Sequence, residues 1–114
     1  MNLRDQIKAA EDLPHEPVEC SGWGVTVHVA TMTGKERDNF EYDVSKATRK
    51  NDNRGLKLRL VMLTACDEKG ERLFANDDAE WLEQKSAKEI DRLANVALRI
   101  NGFSDKDVAD LEKN

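Results

Sequence analysis

The sequence predicts an α+β domain, an N-terminal β-hairpin packed on a mainly helical body of four or five helices. Three observations carry this. Val25, Val27 and Val29 alternate with Thr26, His28 and Ala30 directly after the turn Ser21-Gly22-Trp23-Gly24. That is the period of two expected of a half-buried strand, and glycines supply the positive φ a hairpin turn needs. Helix starts recur, each an oxygen-bearing side chain followed three residues on by an acid: Asn2/Asp5, Thr33/Glu36, Asp77/Glu80, Ser86/Glu89 and Ser104/Asp107. Finally, Ile90, Leu93, Ala94, Ala97 and Leu98 fall on one helical face. A chain of 114 residues has the length of one domain, 1–114, with enough interior for one core.

The elements follow in order. Leu3, Ile7 and Ala10 form the stripe of a first helix that ends before Pro14 and Pro17. Residues from about Pro17 to Met32 form the hairpin. Gly34 to about Lys50 reads as a helix on Phe40, Val44 and Ala47, and Asn51-Asp52-Asn53-Arg54-Gly55 as a loop. Leu56–Cys66 carries two patterns. Leu56, Leu60 and Leu63 suit a helix, and Leu56, Leu58, Leu60 and Met62 suit a strand. The scarcity of β-branched residues favours helix, and the choice stays open. Asp67-Glu68-Lys69-Gly70 is a turn and Glu71–Ala75 a short extended piece. Asp78 to about Lys85 is a short helix with Trp81 and Leu82. Ala87–Asn101 should be the most buried helix, widened by Val96 and Ile100 and stopped by Gly102-Phe103. A last helix, Asp105 to about Lys113, offers Val108 and Leu111.

Composition narrows the function. Eighteen Lys and Arg stand against 23 Asp and Glu, a net charge of −5, which disfavours general nucleic-acid binding, because phosphate contacts need clustered cations. No stretch approaches the ~20 apolar residues of a membrane span. The N-terminus, Met1 to Asp5, lacks the apolar region of a signal peptide. A cytosolic protein with reduced Cys20 and Cys66 is expected, without a disulfide.

The motifs of catalysis and metal binding are not formed. His15, Cys20, His28 and Cys66 are the strong nitrogen and sulfur ligands, and none stands in a close pair of the kind zinc sites use. Gly34-Lys35 matches only the end of a phosphate loop, since Val29 stands at the first glycine position and Glu36 at the hydroxyl position. Gly22-Trp23-Gly24 lacks the third glycine of a dinucleotide fingerprint. The acid runs Asn76–Glu80 and Asp67–Glu71 read as a helix start and a turn. No catalytic, metal or cofactor residue is expected.

Charge segregation and aromatics point to contacts with other proteins. Lys46, Arg49, Lys50, Arg54, Lys57 and Arg59 surround a single acid, Asp52, and the chain from Asp67 onward is biased the other way. Such segments can meet head to tail between copies, although a solvated helix end and loop explains them as well. Trp23, at the hairpin tip, and Phe40 are the first candidates for apolar contacts. Exposed tryptophans favour interfaces, but either tryptophan could equally lie in the core. For Trp81, beside Leu82, the core is the better reading. The candidate partner or self-association contacts are therefore Trp23, Phe40, Lys46, Arg49, Lys50 and Arg54.

A set of short patterns carries a resemblance. Gly22-Trp23-Gly24-Val25-Thr26-Val27 precedes Thr33-Gly34-Lys35-Glu36-Arg37-Asp38-Asn39-Phe40-Glu41. Leu60–Cys66 leads into Asp67-Glu68-Lys69-Gly70-Glu71-Arg72-Leu73-Phe74. Then come Asp77-Asp78-Ala79-Glu80-Trp81-Leu82, Lys85-Ser86-Ala87 and Arg92-Leu93 through Ala97-Leu98-Arg99-Ile100-Asn101-Gly102. Over about residues 16 to 113 the chain resembles the tail assembly chaperones of long-tailed bacteriophages and prophages. The resemblance implies a non-enzymatic helper, made in the host cytoplasm and left out of the mature virion. It implies binding of the tape measure protein, with tail tube subunits then assembling around it. The tube protein would be reached through a longer form made by ribosomal frameshifting. It also points to a homo-oligomer and offers no catalytic residues, cofactor, nucleic acid or membrane. The alternative is a structural tail or head–tail connector component retained in the particle.

Overall fold

In the structure, a computed structural model describing residues 2–112, ten elements follow one another. They are α1 (Leu3–Ala9), β1 (His15–Cys20), β2 (Val25–Ala30), α2 (Gly34–Lys50), α3 (Leu56–Thr64), β3 (Ala65–Cys66), a 3-10 turn (Asn76–Asp78), α4 (Ala79–Leu82), α5 (Ala87–Ile100) and α6 (Asp105–Glu112). This is the expected α+β architecture. The hairpin is widened by β3 into a three-stranded antiparallel sheet in the order β1-β2-β3.

The hairpin pairs Cys20 with Val25 at its turn and His15 with Ala30 at its open end. Pro17 lies inside β1 rather than at its start, which the sheet tolerates because β1 is an edge strand. Gly24 takes the left-handed conformation at φ 69°. Gly22 is small for another reason: a Cβ there would stand 3.1 Å from Glu89 Oε1. Val18, Cys20, Val27 and Val29 are buried with Leu60 and Val61 of α3 and Leu93, Ala94 and Ala97 of α5. Burying a Leu or Val of this kind stabilises the fold by about 1.5–3 kcal/mol. Val25, by contrast, is exposed, because it pairs at the turn end of the hairpin.

Three of the five helix-start pairs form. The Asn2 side chain accepts from Asp5 N–H at 2.8 Å. Thr33 and Glu36 close a reciprocal box at 2.8 and 3.1 Å, and Ser104 and Asp107 another at 3.0 and 3.1 Å. Asp77/Glu80 gives way to Asp78, which accepts from Ala75 N–H and from the Trp81 indole. Ser86/Glu89 does not cap α5. Glu89 turns inward instead, 3.5 Å from Arg92 and 3.4 Å from Gly22 N–H. The stop of α5 is as expected: Gly102 at φ 72°, Gly102 N–H donating to Arg99, and Phe103 N–H donating to Leu98.

Other expectations are corrected. Leu56–Cys66 is both a helix, to Thr64, and a strand, Ala65–Cys66. α3 buries Leu56, Leu60, Val61, Met62 and Thr64 and so is apolar on several sides, which removes the one-sided period that marks an amphipathic helix. It is enclosed over more of its length than α5. The helix expected over Asp78–Lys85 shrinks to α4. Trp81 is 47% exposed and packs edge-on against Phe74, so Leu82 alone enters the core there. The Glu71–Ala75 piece is extended, with Arg72 bridged to Cys66 and Leu73 N–H donating to Ala65. α1 has its stripe but no buried residue. The expected end of the last helix, Lys113, lies outside the described residues.

Candidate functional site

The basic segment occupies the last turns of α2 and the loop to α3. Asn51, left-handed at φ 52°, ends α2, and Asp52 N–H donates back to Ala47. Lys46, Arg49 and Lys50 are therefore exposed at a helix C-terminus, where the macrodipole favours cations. Arg54 grips Asp52 through two hydrogen bonds of 2.7 and 2.8 Å. The Arg54 guanidinium, helped by the Arg54 N–H, lowers the Asp52 carboxyl to about 2. Arg54 is thus largely neutralised by its neighbour. Lys46, Arg49 and Lys50 make no ion pair among the described residues.

These residues border an open groove of about 630 Å³ between α2, α3 and α4. Ala47, Leu56, Leu58, Met62 and Ala79 give it an apolar lining, and Lys46, Lys50, Arg54, Arg59 and Glu83 a charged rim. Arg59 braces its walls, donating to Asp43 of α2 at 3.0 Å and to Asn76 of the 3-10 turn at 2.8 Å. A second groove of about 400 Å³ continues past Leu58 to Ile90 and Leu111. The arrangement is an open, charge-rimmed apolar trough.

The sequence-derived contacts are only partly brought together. Lys46, Lys50 and Arg54 share the groove, and Arg49 stands exposed on the same helix. Phe40 is fully buried and stacks edge-on with Phe103 at 5.7 Å. It belongs to the core and is withdrawn as a surface contact. Trp23 lies half-buried in the hairpin turn against the core and does not line the groove. Leu58 and Met62 are groove residues that sequence patterning missed, and Arg59 was visible only as a member of the basic run. The signal was present in the competing patterns of Leu56–Cys66, which leave Leu58 off the helical stripe.

Other chemistry-bearing groups lie away from this groove. His15 and His28 meet Nδ1 to Nδ1 at 2.9 Å on the outer face of the sheet. Among the described residues no three His, Cys, Asp or Glu side chains are grouped to hold a metal. Cys20 and Cys66 are free and buried. Burial, then the Glu89 carboxylate, pushes the Cys20 thiol up to about 11, and burial also raises Cys66. Both thiols are protonated and enclosed, a poor state for a nucleophile. No helix among the described residues is long and apolar enough to cross a membrane.

No protein-family model matches the chain. No curated protein matches it either. Among solved structures it is similar to the tail assembly chaperone of bacteriophage HK97, with a TM-score of 0.63 and 23% identity. The likeness covers 90% of this chain and 96% of that one. The resemblance carried by the sequence patterns is thus met again in the fold.

Proposed function

We propose that this chain, which shares the fold of a phage tail assembly chaperone, acts as one. In this reading it is a non-enzymatic helper of the host cytoplasm that binds the tape measure protein and stays out of the finished particle. The observation that supports it most is the fold match over 90% of this chain and 96% of its structural neighbour. The physics gives such a helper a task. A tape measure is a long, largely helical chain that spends time without its tube, and large exposed apolar patches aggregate. Shallow charge-rimmed grooves, repeated over many copies, cover such stripes with weak contacts that add through avidity. Modest contacts also release when tube subunits replace the helper. Lys46, Arg49, Lys50 and Arg54 are the proposed contact residues for the tape measure or for further copies of this chain, with Trp23 a separate candidate on the hairpin. The tail tube protein is a further proposed partner, engaged through a longer form wherever ribosomal frameshifting makes one. The test is co-elution of the purified chain with a tape measure segment, together with protein analysis of purified particles. A complex in solution and absence from particles is expected. Presence in particles without a complex transfers the chain to the structural tail or connector class.

A further inference from the structure

We propose that, in the chain free of tape measure, the α2–α3–α4 groove of one copy is filled by α1 of a second copy. The inference deepens the self-association contained in the proposed function and fails separately from tape measure binding. α1 is seven residues long and buries nothing. Isolated helices shorter than about 12–15 residues are marginal in water, so a capped helix of this length calls for a surface to lie on. Leu3 and Ile7 lie one turn apart, 70% and 67% exposed, and Leu13 follows at 41%. No α1 residue lines the groove of its own chain. A single chain therefore presents an unpartnered apolar stripe and an unfilled apolar trough at once. The charges left over are of opposite sign. On the arm Arg4 pairs with Asp5, which leaves Lys8, Glu11 and Asp12, net negative; on the rim Arg54 pairs with Asp52 and Arg59 with Asp43, which leaves Lys46, Lys50 and Glu83, net positive. Seating Leu3 and Ile7 on the half-buried Leu58 brings Glu11 and Asp12 to Lys46 and Lys50. Because arm and groove are different surfaces, each copy offers one of each. Two copies can exchange arms reciprocally about a two-fold axis, or each arm can pass to the next copy and build a ring or filament.

The test mixes chains carrying Ala10→Cys with chains carrying Lys50→Cys under mild oxidation. Both positions are exposed, and the native thiols are buried. A disulfide-linked product containing one of each chain is expected, and Ile7→Asp in the arm chain should abolish it. Leu58→Cys on the groove floor serves as a second partner position. In sedimentation, Ile7→Asp should weaken association roughly tenfold or more, while circular dichroism stays that of the parent. No mixed product at either groove position overturns the proposal. So does a bridge that forms only within one chain carrying both cysteines, or an Ile7→Asp chain that associates like the parent. An Ile7→Asp chain that associates normally and still binds the tape measure segment removes the arm contact and leaves the chaperone reading standing.

Discussion

Leu93 is fully buried where α5 meets the sheet and α3. Its truncation leaves a cavity under both layers, so Leu93→Ala should cost about 2–5 kcal/mol in chemical denaturation. A cost below about 0.5 kcal/mol would place it among surface sites. Glu36 is a second instructive residue. Burial opposes its charge, but Arg72, at 2.9 and 3.1 Å, and the Thr33 N–H outweigh that and hold its carboxyl below the ordinary 4.5. A lowered acid stabilises the fold above its unfolded value and loses that contribution as the pH falls through its folded one. Stability should therefore erode below about pH 4.5, and Glu36→Gln should flatten that acid limb in pH-dependent melting. Glu36 was legible as a capping acid, whereas its bond to Arg72, 36 residues away, was not, since no local pattern marks such a partner. Glu89 shows the opposite failure. Its spacing from Ser86 matches a cap, yet burial beside Gly22 and Arg92 outcompetes that local bond.

At the scale of elements, legibility followed one-sidedness. α2 and α5 each have one wet and one dry face, and their spans and stops agree with patterning. α3 is wrapped on several sides, so its period disappears and its last residues pass into β3 through backbone pairing with β2. Trp81 went astray because its indole has a carboxylate within reach at the surface, Asp78 at 2.9 Å. The stop of α5 yields a paired prediction. Gly102 at φ 72° ends the helix in a conformation that costs an L side chain roughly 1–2 kcal/mol. Gly34 opens α2 with ordinary backbone and open space around it. Gly102→Ala should lower the melting temperature, and Gly34→Ala should leave it unchanged or raise it slightly. Equal losses at both sites would contradict the stop described for α5.

Over the whole molecule, the sheet, α3 and α5 form the core, while the outward sides of α2, α3 and α4 carry the groove and its lysines. The basic half of that site was visible as a run of charge. Its apolar floor was not, because it assembles from elements whose packing no local pattern reports. The two halves should respond differently to salt. Exposed charges are screened beyond ~10 Å at 0.1 M, so raising salt should weaken association in sedimentation without abolishing it, the apolar floor supplying the remainder. Complete insensitivity would remove the lysines from the interface. The central claim concerns what the trough covers in the cell. Its most direct measurement is the soluble fraction of the tape measure protein expressed alone, with this chain, and with a Lys46→Glu/Lys50→Glu chain. The account predicts that the tape measure is largely insoluble alone, soluble with the parent chain, and less so with the charge-reversed one. A tape measure equally insoluble in all three would contradict it.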